Sequence, residues 1–383
     1  MIRFSTAPFL KSSSKIPLGP SIWFLFTVVL GAPAESFLQF QGAMQPHPVA
    51  VQGPWFEGWY YRLTDPSQKL SLAIIGTAAY RDTLPQPGYK AILFQHPKEN
   101  RLMSFEKFPT AQITLHSPPH DFQWKEDAKN WLSRSEVQLE ARDTEKDTQI
   151  KIQMLRTSQS PWSQYSWWGP SGWAHLISLL PLQWFVDNVG GQGTYRVELE
   201  RNGEFEVFEG SGFLHQEKNW GEAFPLSWIW VQGHSATGRS SLALAGGRTT
   251  LGGIPKTTYL FGYRAPHLHV DLNLALDAAT FFDLKSAPCR GKLIFQGQNK
   301  FHRVSLRAAA PLESFTSVAI PTEKGYQKNG GIESFIAEVE IEIHLKPQTP
   351  FSKEKILVKE TLPLSALEFG GEAMKCETLN AER

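Results

Sequence analysis

Period-two alternation, interrupted by polar turns, is the feature that most limits the folds open to this chain. In Thr194–Glu200 the side chains of Tyr195, Val197 and Leu199 fall on one side, and Arg196, Glu198 and Glu200 on the other. That is the pattern of a strand with one buried face. Asn202-Gly203 follows, then Phe205 and Val207 resume the alternation, which predicts a hairpin. Phe335–Ile343 reads as a long half-solvated strand with Glu338, Glu340 and Glu342 outward, and Leu268–Leu276 as another with His269, Asp271 and Asn273 opposite its apolar side. Leu70–Ile75, Ile150–Met154, Lys292–Gln296 and Lys355–Glu360 are shorter candidates. Helical periodicity is confined to a short stretch around Trp173–Leu180. Many strands joined by polar turns imply an all-β sandwich or barrel, and a barrel of about eight strands can enclose one elongated ligand.

At 383 residues the chain has room for two ordinary domains or one large β domain. A net charge of +1 with 20% charged residues leaves no basic footprint for nucleic acid. Neither a zinc site, a P-loop nor a dinucleotide fingerprint is present, and Gly190-Gly191-Gln192-Gly193 reads as a turn. Cys289 and Cys376 fit no metal or redox spacing and read as free buried thiols in preference to a disulfide. His267 and His269 would share a strand face, but no third ligand stands near them, so no metal is expected.

Two aromatic blocks carry the chemistry. Glu217-Lys218-Asn219-Trp220-Gly221 is followed at once by Phe224-Pro225 and Trp228-Ile229-Trp230-Val231-Gln232. On a strand, Trp228, Trp230 and Gln232 share one face, an apolar wall ending in an amide. Far upstream, Trp55-Phe56-Glu57-Gly58-Trp59-Tyr60-Tyr61-Arg62 frames another carboxylate with aromatics. Desolvation of such an acid raises its pKa, and acids of that kind either find a hydrogen-bond partner or do chemistry.

These blocks resemble the signature segments of the tocopherol cyclase family of plants, algae and cyanobacteria. A third anchor lies between them, at Gly172-Trp173, Leu180-Pro181, Trp184 and Gly190-Gly191. The likeness spans roughly Trp55 to Gln232 and is diffuse beyond; Glu222-Ala223 before the Phe-Pro and a short approach to the first block depart from the plant pattern. The resemblance implies an all-β fold of two lipocalin-like (AttH-like) antiparallel barrel or sandwich halves, placed here at 45–210 and 211–383. The Trp-rich segment Ser158–Gly193, with Trp162, Trp167, Trp168, Trp173 and Trp184, reads as a lid over a barrel mouth that also suits a membrane interface.

The activity implied is closure of the chromanol ring of a prenylated benzoquinol, the step that makes tocopherol (vitamin E). A proton adds to the nearest trisubstituted alkene and the phenol oxygen captures the tertiary cation. This involves no redox change and no cofactor. It needs a protonated acid, a dry channel for the tail and polar groups for the head, while indole faces can stabilise a transient cation. Glu57 and Glu217 are the candidate acids. Trp59, Tyr60, Asn219, Trp220, Trp228, Trp230 and Gln232 are the candidate substrate-binding residues. Either glutamate reads equally as a buried carboxylate held by a backbone amide or by an arginine such as Arg62, and the tryptophans equally as plain core. A non-catalytic prenyl-lipid carrier and an isoprenoid hydratase, in which water traps the cation, remain alternatives; a carboxyl inside the pocket separates either enzyme from the carrier.

The first 34 residues contain no Asp or Glu. Arg3, Lys11 and Lys15 precede the apolar run Ile22–Leu30, and Ala32-Pro33-Ala34 suits cleavage, which is the layout of a signal peptide. Ser5, Ser12, Ser13 and Ser14 add transit-peptide character. With the resemblance, this implies a plastid destination and peripheral membrane contact; secretion is the alternative.

Overall fold

The structure is a computed structural model that describes residues 44–46, 54–81, 84–109, 114–116, 122–163, 169–172, 182–251, 254–274, 276–349 and 351–376. The leader read at 1–34, the Trp173–Leu180 periodicity, and Trp167, Trp168 and Trp173 of the lid segment lie outside the described residues.

Alternation builds two antiparallel sheets. The first begins with β1 (Pro54–Asp65), β2 (Leu70–Arg81), β3 (Leu84–Gln86), β4 (Lys90–Gln95), β5 (Met103–Lys107) and β6 (Thr114–His116). It continues through β7 (Gln123–Lys125), β8 (Trp131–Ser133), β9 (Glu136–Asp143), β10 (Thr148–Arg156), β11 (Leu182–Arg201) and β12 (Glu204–Gly221). Its order is β5-β4-β2-β1-β12-β11-β10-β9-β8-β7-β6, with β3 beside β2. The second sheet holds β13 (Ser227–His234), β14 (Ser241–Leu251), β15 (Ile254–Ala265), β16 (Leu268–Leu272) and β17 (Phe281–Ala287). Then come β18 (Lys292–Gln298), β19 (His302–Ala309), β20 (Thr316–Thr322), β21 (Gly325–Leu345) and β22 (Lys355–Gly371). They run β16-β15-β14-β13-β22-β21-β19-β18-β17, with β20 beside β21. The all-β, two-part reading is what the structure has. β12 pairs with the first sheet through Gly221, and the second sheet begins with β13 at Ser227.

Each sheet curls round a core of its own. Phe105 of β5 and Val137 of β9 come from opposite arms of the first sheet yet share one apolar cluster with Trp59, Leu72, Trp124 and Leu214. Phe261, Phe295, Leu306, Ile341 and Leu367 do the same in the second. Among the described residues, packed side chains fill these interiors.

Local chemistry explains the long hairpins. Asn202 and Gly203 both have positive φ (51° and 79°), the conformation of a type I′ turn, and Arg201 faces Glu204 across it. The glycine run expected as a turn is instead strand: pairing of β11 with β12 shifts between Asn188 and Gly191. There a Cβ on Gly190 would lie 1.9 Å from Ser241 Oγ, and one on Gly191 2.3 Å from Ser158 O. The cysteines expected as free thiols are paired: Cys289–Cys376 joins the turn after β17 to the segment after β22. Sequence separation concealed a Cα distance of 5.7 Å.

Candidate active site

The two aromatic blocks meet. β1 and β12 are antiparallel neighbours, pairing Glu57 with Trp220, Trp59 with Lys218 and Tyr60 with Glu217. Directly opposed residues share a face, so the register divides the candidates into two sets. Glu57, Trp59, Lys218 and Trp220 point into the first core. Tyr60, Arg62, His215, Glu217 and Asn219 point the other way, towards the second sheet.

In the first core, Glu57 Oε2 lies 2.5 Å from Lys218 Nζ, and both side chains are fully buried. Lys218 also donates to Gln45 O at 2.5 Å and lies 4.8 Å from the Trp59 ring and 5.2 Å from the Trp220 ring. Burial pushes the Lys218 ammonium down to about 8, while the adjoining carboxylate holds it up. Trp59 contributes to the cavity wall described below, but its indole stacks on Phe122 and donates to Met44 O at 2.8 Å. Glu57 and Glu217 therefore do not share a pocket.

The other face opens on a cavity of about 700 Å³ between the sheets. β13 supplies Trp228 and Trp230 to it, while Ile229 and Val231 enter the second core. The cavity is mostly apolar, with Phe56, Ile75, Trp184, Leu260 and Val318 in its wall. Three carboxylates interrupt that surface: Glu217, Glu333 and Glu368.

Glu333 and Glu368 are direct cross-strand partners of β21 and β22, and Trp230 stands opposite Glu368 on the other side. Trp228 lies across Gly370, where a Cβ would approach its ring to 1.8 Å, and donates to Glu368 Oε1 at 2.8 Å. Tyr60 O–H donates to Glu333 Oε1 at 2.8 Å. Burial raises the Glu333 carboxyl well above the usual range, helped by the charges of Glu368 and Glu217. Burial likewise raises Glu368 to about 7, with Glu217 adding to it. Two adjacent carboxyls in a dry site cannot both ionise cheaply, so the pair holds at least one proton near neutral pH. Burial and the Glu333 charge keep Tyr60 a phenol.

Glu217 has a different proton economy. Its Oε2 is 2.8 Å from His215 Nε2 and accepts Trp230 Nε1–H at 3.1 Å; its Oε1 accepts a long 3.5 Å bond from Asn219. His215 Nδ1 faces Val189 O at 3.3 Å, which requires a proton on Nδ1. The His215–Glu217 contact then needs one shared proton, carried by Nε2 or by the carboxyl. Beside it, Arg62 donates to Gln232 Oε1 and Leu364 O, each at 2.5 Å, over the Phe335 ring. Burial lowers its guanidinium to about 10. Gln232 continues this chain to His234 at 2.8 Å and is not part of the cavity wall. Of the residues singled out from sequence, Glu217, Tyr60, Asn219, Trp228 and Trp230 thus converge on the cavity; Glu57, Trp220 and the Trp59 ring belong to the first core. Glu333, Glu368 and His215 were not singled out. His215 was within reach, two residues from Glu217 on the same strand face.

Among the described residues no cluster of His, Cys, Asp and Glu could hold a metal ion, and no helix is long and apolar enough to cross a membrane.

Residues 132–371 match the family profile described as Tocopherol cyclase-like. A probable chloroplastic tocopherol cyclase of Oryza sativa subsp. japonica is 27% identical over 206 residues, covering 52% of this chain and 42% of that protein. The chloroplastic tocopherol cyclase of Zea mays is 26% identical over 216 residues, covering 52% and 42%. The chain thus spans less than half the length of the curated relatives it matches. In fold it is similar to the crystal structure of CghA with Sch210972, with a TM-score of 0.52 and 9% identity over 86% of this chain and 96% of that one.

Proposed function

Because the chain belongs to the tocopherol cyclase-like family, we propose that it is a cyclase whose reaction takes place in the cavity between the two sheets, with a prenylated benzoquinol as substrate. The observation that carries this reading is the Glu333–Glu368 pair, an acid kept protonated in an apolar, indole-lined space. One of these carboxyls gives its proton to the CH carbon of the first prenyl alkene. The π electrons form the new C–H bond and leave a tertiary cation, which the faces of Trp228 and Trp230 stabilise. The phenol oxygen attacks that carbon, and its proton returns to a carboxylate, so acid and charge are restored without redox change. Glu217, with His215 behind it and Asn219 beside it, receives and orients the phenol. A carboxyl-bearing pocket also argues against a passive carrier. The chloroplastic relatives support a plastid setting for the same chemistry.

The test is incubation of the purified protein with a prenylated benzoquinol. Appearance of the chromanol supports the assignment, a hydrated open-chain alcohol would reassign the protein to the hydratases, and binding without conversion would make it a carrier.

A further inference from the structure

Phe351 is 96% exposed, yet its neighbours Gln348, Thr349 and Ser352 are tied together by hydrogen bonds. Ser352 Oγ accepts the backbone N–H groups of Gln348 and Thr349 at 2.8 and 2.9 Å, and Ser352 N–H donates to Thr349 Oγ1 at 3.1 Å. One exposed ring means little by itself; joined to further exposed apolar residues it marks a surface that something else covers.

Its neighbours indicate what. Lys346 N–H bonds Phe301 O at 2.7 Å, and Lys346 Nζ reaches Asn299 O at 3.1 Å, which places the exposed Phe301 beside this turn. Lys300 N–H bonds Asp277 Oδ2 at 2.8 Å, and Asn299 Nδ2 bonds Asp271 O at 3.0 Å. The chain between those acids carries the exposed Leu274 and Leu276, and Leu274 is also in the cavity wall. One end of the second sheet thus joins exposed apolar residues to the cavity, flanked by Lys300, Lys346, Lys353 and Lys355. Of the nearby carboxylates, Asp277 accepts backbone N–H groups and lies in the field of Lys300 and Lys346, and Glu354 pairs with Arg303 at 2.8 Å. Exposed rings beside four lysines, which outnumber the acids Asp277 and Glu354 among them, match an anionic bilayer, which takes the rings at its acyl boundary and the ammonium groups at its headgroups.

We infer that this end of the second sheet docks on an anionic lipid surface, so that a lipid-borne substrate passes from the bilayer past Leu274 into the cavity. The inference rests on the proposed lipid substrate for its purpose, and on the exposed rings and lysines for its location. Cosedimentation with phosphatidylglycerol-containing and with pure phosphatidylcholine vesicles tests it. The full chain should bind the anionic vesicles more tightly, less so in high salt. Phe351→Ser should weaken binding about tenfold or more, and Lys353→Ala about fivefold. Conversion of detergent-dispersed benzoquinol by Phe351→Ser should be unchanged. Equal binding by wild type and both variants would overturn the inference, as would no vesicle binding together with a dimer that Phe351→Ser dissolves. If vesicle binding follows the pattern but no chromanol ever forms, the docking surface stands and the cyclase reading fails.

Discussion

Replacing Glu368 by glutamine should make the protein more stable at alkaline pH. Glu368 accepts the Trp228 indole N–H at 2.8 Å and sits opposite Glu333. An amide oxygen accepts the same bond and carries no charge into the dry site. Burial raises the Glu368 carboxyl from 4.5 to about 7. Between those values the folded protein holds a proton that the unfolded chain has released, so rising pH favours unfolding. The contribution is intact below about pH 4.5, is lost progressively up to about pH 7, and changes little beyond. The rise corresponds to roughly 3 kcal/mol, on the order of 5 °C in melting temperature for a chain of this size. Thermal melts followed by circular dichroism should therefore separate wild type from Glu368→Gln at pH 8.5 and bring them together at pH 4.5. Glu333 is raised in the same direction, in part by the Glu368 charge; the glutamine removes that repulsion as well, which adds to the difference in the same sense. Parallel melting curves, or a variant less stable at pH 8.5, would refute the assignment of Glu368 as a carboxyl held protonated by its surroundings.

Three further outcomes follow from the geometry. Lys218→Met should cost about 3–5 kcal/mol in urea unfolding, because the buried Glu57 loses its ammonium partner at 2.5 Å, and adding Glu57→Leu should recover most of that loss. Cys289→Ser should lower stability by about 2–4 kcal/mol, and reductant should destabilise wild type by a similar amount while leaving the variant unchanged. Gly370→Ala should push the Trp228 ring off Glu368, shifting tryptophan fluorescence and reducing turnover well below wild type with the fold retained.

Much of the fold was legible where one side chain in two was apolar. Tyr195, Val197 and Leu199 lie in the first core as the alternation predicts, and Asn202-Gly203 turns the hairpin. The two aromatic blocks, alike in composition, are neighbouring strands. Which face each residue presents did not follow, because it depends on the register with the next strand: Glu57 and Glu217 look alike in sequence and point to opposite sides of one sheet. Glu333 and Glu368 were hidden by a further effect. Counting back by twos from Val339 and Ile341 puts Phe335 and Glu333 in the second core. The pairing of β21 with β22 shifts between Ser334 and Val339, and this irregularity takes both residues out of that core, Glu333 into the cavity wall and Phe335 into the cluster beneath Arg62. On β22 the same irregularity passes through Leu364, whose φ is +48° and whose carbonyl accepts Arg62. The cavity was misplaced because side chains fill both barrel interiors. That leaves the facing surfaces of the sheets to bound the open space.

The most direct test of acid-driven ring closure between the sheets is the reaction run in D2O with a prenylated benzoquinol, comparing wild type with Glu368→Gln and Glu333→Gln. Wild type should give a chromanol carrying one deuterium, on the ring methylene next to the new quaternary carbon. In at least one of the two variants turnover should fall by about a hundredfold or more, with binding of the quinol little changed. A product without deuterium at that carbon, or full turnover when both glutamates are replaced together, would contradict the account.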